Sequence, residues 1–253
     1  MRPYDDLVAE ALAADVDGWG FGFLDGRATE ERPPWGYARL LAGELGRVDA
    51  ALDLDTGGGE VVDEAPVLPR RMAATEGWPP NLARARARLG VRGVEVVHAE
   101  PGRPLPFADA SFALVSSRHP VAPDWAEIRR VLEPGGTYLG QHVGRESAFE
   151  LIERFVEPTP EQRAGRDPQR EADDARAAGL EVDDLLTARL RMTFADVGAV
   201  VWILRKCVWW VPGFDVLRDD AALRAIDEEL RGGRELVAHA TRHLLRARRP
   251  LDA

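Results

Sequence analysis

From Val48 to Val143, short apolar runs alternate with stretches of helical spacing, the pattern of βαβ units and of a mostly parallel sheet. The pattern predicts strands at residues 50–54, 72–75, 94–98, 112–116 and 137–143. Between them it predicts helices at 60–64, 81–89 and 125–132, the last stopped by Pro134-Gly135-Gly136. Two later strands, at 180–192 and 242–247, bring the sheet to seven. Ahead of the sheet, Leu7, Ala11 and Leu12, then Ala38, Leu41 and Leu45, fall at helical spacing and make residues 1–45 a helical cap on a main domain at 46–253. An aromatic loop with Trp19, Phe21, Phe23, Trp35 and Tyr37 joins the two helical runs. Residues 157–174 are polar and contain proline, as in a loop entering a surface helix. Val197, Val200, Val201, Leu204 and Val208 recur at helical spacing and place a helical insertion at about 194–233, between the last two strands; it carries Trp202, Trp209, Trp210 and Phe214.

Composition narrows the class. A chain of 253 residues suits one well-buried α/β domain with a cap or insertion. No apolar stretch is long enough to span a membrane, the richest being broken by Arg205 and Lys206, and the acidic N-terminus with Asp5, Asp6 and Glu10 is unlike a signal peptide. A cytoplasmic location is expected. Cys207 is the only cysteine, so a disulfide or a cysteine zinc module is excluded as a staple. A net charge of -10 opposes binding to a phosphate backbone and favours a small-molecule partner over nucleic acid.

The chemistry begins after the first predicted strand, at Asp53-Leu54-Asp55-Thr56-Gly57-Gly58-Gly59. In an open α/β sheet a ligand sits beyond the carboxyl ends of the strands, and this first turn meets it. Three glycines let the backbone approach a ligand and adopt positive φ. The spacing lacks the third glycine of a dinucleotide fingerprint, and Glu60 at the helix start would repel a pyrophosphate, so an uncharged or cationic ligand fits better. The next acid, Glu76 in Thr75-Glu76-Gly77-Trp78, stands where a carboxylate can accept both hydroxyls of a ribose, with Trp78 as an apolar wall for a base.

In this order the chain resembles the class I S-adenosylmethionine-dependent methyltransferases, of the methyltransferase type 11 kind, over residues 47–145. Residues 52–59 are similar to the family's first motif, and Glu76 to its ribose-binding acid. Leu105-Pro106-Phe107-Ala108-Asp109-Ala110-Ser111-Phe112 is similar to the segment leading into the fourth strand, and Arg130-Val131-Leu132-Glu133-Pro134-Gly135-Gly136 to the turn before the fifth. The resemblance implies a Rossmann-like, doubly wound fold in residues 46–253 and S-adenosylmethionine as cofactor. It implies cofactor contacts from Asp53, Asp55, Thr56, Gly57, Gly58, Gly59, Glu76, Gly77, Trp78 and Ser117, and from His98 or, in a shifted register, Ala99 and Glu100. The chain departs from the family twice: Asp55 stands where a glycine is usual, and Ala113 where an acid often follows the phenylalanine.

Methyl transfer from a sulfonium needs mainly alignment and exclusion of water. A base helps when the acceptor is a hydroxyl or a protonated amine, and histidine is the default. His119, just after the fourth strand, is the first candidate and His142, ending the fifth, the second. His239 and His243 lie four apart but lack the partner residues of a helix-borne metal motif, so no metal site is expected. The aromatic residues of the cap and insertion would wall a pocket for an aromatic or hydrophobic acceptor, methylated on oxygen, nitrogen or carbon, and could equally serve a homodimer interface. An RNA methyltransferase, or a protein that binds the cofactor without catalysis, are the alternatives.

Overall fold

The computed structural model describes residues 2–18, 20–100 and 102–251. Its helices are α1 (Tyr4–Ala13), α2 (Tyr37–Leu45), α3 (Glu60–Asp63), α4 (Pro79–Leu89), α5 (Trp125–Val131), α6 (Phe149–Ile152), α7 (Pro160–Ala164), α8 (Pro168–Ala177), α9 (Val197–Lys206) and α10 (Asp220–Arg231). Its strands are β1 (Ala28–Glu30), β2 (Ala50–Leu54), β3 (Arg71–Glu76), β4 (Glu95–His98), β5 (Phe112–Arg118), β6 (Leu132–Val143), β7 (Glu181–Phe194) and β8 (Leu236–Arg248). They form one sheet in the order β1-β7-β8-β6-β5-β2-β3-β4. The pairs β2–β3, β3–β4, β2–β5 and β5–β6 are parallel, while β6–β8 and β1–β7 are antiparallel. The sheet therefore has eight strands rather than the expected seven. The extra one, β1, is a three-residue edge strand in the segment read as an aromatic loop, too short to show a two-residue period; it pairs with residues 192–194.

Two compact units share the chain. One comprises Pro33–Gly144, Arg166–Ala188 and Arg242–Ala253, and the other Met1–Arg32, Arg145–Gly165 and Arg189–Thr241. In the first, successive residues along each strand feed opposite faces of the sheet. Ala51, Met72, Ala74, Leu139 and Leu244 join Leu41, Leu45, Val62 and Leu89 in one apolar cluster. Leu52, Ala73, Tyr138 and Leu245 join Trp125, Ile128, Val131 and Leu180 in another. A sheet covered on both faces by crossover helices needs apolar residues of both parities, which is why its strands read as runs rather than alternations. Phe112 and Leu114 belong to opposite clusters despite equal parity, because the β5–β6 register shifts between them.

The chain turns back between β4 and β5, so that β2 lies between β3 and β5 and the order reverses there, at the switch point where such sheets bind ligands. The helix after β2 starts at Gly59, whose φ is +81° and whose added Cβ would stand 2.7 Å from Leu89 Cγ of α4. Only glycine lets the turn and α4 close on one another.

In the second unit, α1 packs on α9. Asp196 caps α9 by accepting from Ala199 N–H at 2.9 Å and binds Arg27 at 2.9 and 3.0 Å. The stripe Val197, Val200, Val201 and Leu204 is buried, as its spacing predicts. Val208 is not part of it: α9 ends at Lys206 and Val208 is exposed. Lys206 Nζ donates to the carbonyls of Val16, Asp17 and Gly18 and faces the rings of Phe21 and Trp202, so an irregular segment is pinned to the helix end. No helix of the described residues is long and apolar enough to cross a membrane.

The packing generates a paired prediction. Gly93 has a φ of +80° but open space around a would-be Cβ, so Gly93→Ala should cost about 1 kcal/mol for the backbone alone. Gly59→Ala adds the collision with Leu89 and should cost about 2–4 kcal/mol. Urea unfolding of both variants checks the difference.

Candidate functional site

The turn between β2 and α3 places residues 55, 57 and 59 in the left-handed region, with φ of +53°, +65° and +81°. The peptide groups between them are held by β3: Thr56 N–H donates to the Thr75 carbonyl at 2.9 Å and Gly57 N–H to Glu76 Oε2 at 2.8 Å. Trp78 N–H donates to Glu76 Oε1, also at 2.8 Å. Each carboxylate oxygen of Glu76 thus takes one backbone donor and keeps a lone pair for another. Burial pushes the Glu76 carboxyl above its ordinary value, opposed by these hydrogen bonds.

Asp53, the last buried residue of β2, accepts from Ser116 Oγ on the neighbouring β5 at 2.6 Å. Burial pushes its pKa up to about 6, with the Ser116 bond pulling the other way. Asp55 stands exposed at the rim, and partial desolvation there raises its carboxyl too. Its backbone explains the departure noted in the sequence. The position requires a positive φ, which glycine supplies freely and which aspartate tolerates better than most residues. Glu60, expected to repel a phosphate, is paired with Arg88, whose guanidinium also donates to the Gly58 carbonyl at 3.1 Å.

Along the same rim, His98 ends β4 opposite Glu76, exposed, with Nε2 3.0 Å from the Gly77 carbonyl. Ala99 N–H donates to the Glu76 carbonyl at 3.3 Å, and Glu100 is exposed beyond it. Trp78 is 49% exposed and so has a ring face to offer. The strand ends therefore bring together Asp53, residues 55–59, Glu76, Gly77, Trp78 and His98. Ser117 is turned inward: its Oγ lies 2.6 Å from Tyr138 Oη, and its carbonyl accepts from Tyr37 Oη at 2.9 Å.

The two histidine candidates sit in different networks. His119 is half-buried with a φ of +59°, and its Nε2 is 3.1 Å from Gln141 Nε2. The amide of Gln141 is oriented by Trp35, whose indole N–H can only donate and reaches Gln141 Oε1 at 2.8 Å. Gln141 Nε2 is then the donor, His119 Nε2 the acceptor, and the proton of the neutral ring sits on Nδ1. Burial, with Arg242 and Arg118 nearby, holds the His119 pKa well below its ordinary value, so the ring is neutral at pH 7. His119 presents an N–H rather than a spare lone pair.

His142 is 2% exposed. Its Nε2 meets Tyr138 Oη at 2.8 Å and its Nδ1 meets Glu171 Oε2 at 2.6 Å. Burial lowers its pKa, against the pull of Glu171. His243 lies on β8, not on a helix, so the four-residue spacing to His239 has no helical meaning; His239 pairs with Glu150. Sequence reasoning missed Gln141, Tyr138 and Glu171. Gln141 adjoins a named candidate, but Glu171 carries no local signal. It lies in the polar stretch read as surface and is delivered by α8, which Asp167 caps and Pro168 opens.

Of the aromatic residues expected to wall an acceptor pocket, Trp35 and Tyr37 are consumed by core hydrogen bonds. Trp202 is buried, stacked on Phe23 at 5.5 Å. Phe21 and Trp209 are exposed at 41% and 52%, and Trp19 lies outside the described residues.

An open, mostly parallel sheet with a glycine turn and a carboxylate at its switch point defines a Rossmann-like architecture. Residues 52–140 match the family described as "Methyltransferase domain". Over those residues the chain is similar to the methyltransferase domains. A comparison with curated protein sequences returns no match. Among solved structures, a Bacillus halodurans protein assigned as a methyltransferase is similar at 20% identity, over 83% of this chain and 98% of its own, with a TM-score of 0.59. The [4+2]-cyclase SpnF is similar at 19% identity over 98% and 94%, with a TM-score of 0.53. A Haemonchus contortus phosphoethanolamine N-methyltransferase, solved with phosphomonomethylethanolamine and S-adenosylhomocysteine, is similar at 16% identity over 85% and 53%, with a TM-score of 0.50. At these identities the likeness is one of fold.

The tautomer of His119 is directly measurable. Two-bond proton–nitrogen correlation spectra should give the Nδ1–H pattern for His119, unchanged from pH 8 to pH 6, because its pKa lies below the ordinary value. An Nε2–H pattern would restore its lone pair at Nδ1 to a base role. Trp35→Phe, by releasing the Gln141 amide, should blur the single pattern into two.

Proposed function

We propose that the protein transfers a methyl group from S-adenosylmethionine to a small-molecule acceptor. The observation that carries this reading is the anchoring of the residue 55–59 turn to Glu76, beside two further carboxylates, Asp53 and Asp55. The donor set fits the cofactor. A diol finds acceptor lone pairs on Glu76, the half-exposed Trp78 offers a face to adenine, and glycine backbone leaves room for close approach. All three carboxyls have raised pKa values, with burial the largest cause at each and Asp55 adding repulsion at Asp53 and Glu76. A ligand bearing a sulfonium and an ammonium relieves what burial and repulsion impose, whereas a pyrophosphate would worsen it.

Bound there, the cofactor supplies an electrophilic methyl group. The chain's own share is positioning: Glu76 and residues 55–59 hold the nucleoside, Asp53 supports the turn from beneath through Ser116, and His98, Ala99 and Glu100 border the base. With its Nε2 engaged by Gln141, His119 acts as an N–H donor that orients an acceptor oxygen or carboxylate. An acceptor that is already nucleophilic at neutral pH then needs no base. His142, enclosed with Tyr138 and Glu171, does not touch the acceptor. A small acceptor agrees with the net charge of -10.

A second reading, binding of the cofactor without methyl transfer, is favoured by Asp55 in a strained left-handed backbone at the mouth of the site and by a neighbour in fold named for a cyclisation. Calorimetric titration with S-adenosylmethionine and S-adenosylhomocysteine, followed by an acceptor panel assayed for S-adenosylhomocysteine release, separates the two. Binding with turnover supports transfer. Binding without turnover supports the second reading, and no binding of either compound contradicts both.

Two outcomes sharpen the test. Glu76→Ala should weaken S-adenosylmethionine binding by about 10- to 100-fold, the cost of removing a charged hydrogen-bond acceptor. Because a cation binds the ionised form of Asp53, whose pKa is about 6, affinity for S-adenosylmethionine should fall as pH drops from 7.5 to 5. S-adenosylhomocysteine, without the sulfonium charge, should lose less over the same range, as calorimetry at the two pH values will show.

A further inference from the structure

The polar cluster around Glu171 contains no residue of the 55–59 turn and neither Asp53 nor Glu76. His142 and His243 are directly opposed residues of the antiparallel β6–β8 pair, with ring centroids 5.0 Å apart and planes at 62°. Glu171 reaches them from α8. Its Oε2 lies 2.6 Å from His142 Nδ1 and 2.9 Å from His243 Nε2, so one carboxylate oxygen is shared by two imidazoles. Their three ligand atoms all lie within 4.8 Å of one another. The imidazoles are 2% and 0% exposed and the glutamate 19%, so what solvent reaches the cluster reaches it mainly at Glu171.

Drawing three such groups into an interior is costly unless each is satisfied. Hydrogen bonding alone does not achieve that, because His243 Nδ1 is buried and has no partner. Nor does anything at Nδ1 fix which nitrogen of His243 carries the proton, so Nε2 is free to turn a lone pair toward Glu171 instead. His142 has the complementary device. Its Nε2 meets Tyr138 Oη at 2.8 Å, and that hydroxyl lies 2.6 Å from Ser117 Oγ. When Nδ1 gives up its proton to become a ligand, Nε2 can carry one and donate it to Tyr138, whose own hydroxyl donates to Ser117. This is the outer hydrogen bond that orients a metal-bound imidazole.

We propose that His142 Nδ1, His243 Nε2 and the Glu171 carboxylate form a binding site for a first-row divalent transition metal of the zinc class. Two imidazole nitrogens and one carboxylate are the donors such an ion prefers over magnesium or calcium, which take all-oxygen sets. Three protein ligands leave a position for water on the side where Glu171 is exposed. The ion joins α8 to the β6–β8 pair, so its first consequence is stability. The site is independent of methyl transfer, because none of its ligands belongs to the turn, Glu76 or Asp53.

The test uses the full chain, stripped with a chelator, freed of it by dialysis and titrated with Co2+ alone. Visible ligand-field bands should saturate at about one equivalent and be displaced by Zn2+, and Zn2+ should raise the melting temperature of the stripped protein by several degrees. Glu171→Gln and His243→Asn, which keep size and hydrogen-bonding capacity, should abolish the stoichiometric bands. His239→Asn, on the same strand as His243 but paired with Glu150 of α6, should leave them intact. The proposal is overturned if the wild-type chain shows no bands at one equivalent, since that arm needs no variant to fold. It is equally overturned if the bands survive both Glu171→Gln and His243→Asn, or depend on His239, either of which would place the ion elsewhere.

Discussion

The site depends on one hydrogen bond, from Gly57 N–H to the Glu76 carboxylate. It spans the first strand-to-helix turn and the end of the next strand, and it exists only because residues 55, 57 and 59 all take left-handed backbone. The alternation turns the Thr56 and Gly57 amides toward β3, where the Thr75 carbonyl and Glu76 receive them. With the turn held in this way, Gly59 can start α3 against Leu89 and Asp53 can sit buried beneath, tied to Ser116. The same bond aims Glu76 along the rim. A glutamate accepting from two backbone donors has little freedom left, so its remaining lone pairs are organised before any ligand arrives.

The electrostatic consequence is a rim built from acids. Asp53, Asp55 and Glu76 each have a raised pKa, burial being the largest cause at each; Arg118 pulls the other way at Asp53, and Arg88 is engaged by Glu60 and the Gly58 carbonyl. In a dinucleotide site the corresponding turn must welcome phosphate. Here the bias is reversed, which is why we propose a cationic nucleoside as the ligand. Asp55, which looked like a defect against the family pattern, fits both demands, as aspartate is among the few residues able to hold φ near +53° and it adds to the negative field.

Most of the parallel core was legible because its strands are buried on both faces and interrupted by helices with clear stops. Pro134 and Gly135 do lie inside the irregular start of β6, but the strand beyond them runs as read. That the rim residues would lie together was legible because they are local to three strand ends. What could not be read depends on partners far away in sequence. β1 is a strand only because residues 192–194 pair with it. The proton position on His119 is set by Gln141 and, through it, Trp35, more than eighty residues upstream. Glu171 joins His142 and His243 only after α8 has packed, and no periodicity or motif announces a residue placed that way. The tryptophans misled in the other direction. Their clustering suggested a pocket wall, yet Trp35 and Trp202 satisfy their indole N–H groups on Gln141 and the Asp15 carbonyl and serve packing.

The central claim is that the turn and Glu76 hold the cofactor where β2 and β3 end. Amide hydrogen exchange with and without S-adenosylhomocysteine tests it most directly, because it reads location rather than affinity alone. Protection should appear in peptides covering residues 53–60 and 75–79, with little change at residues 142, 171 and 243. Protection confined to other segments, or none at saturating ligand, would contradict the account.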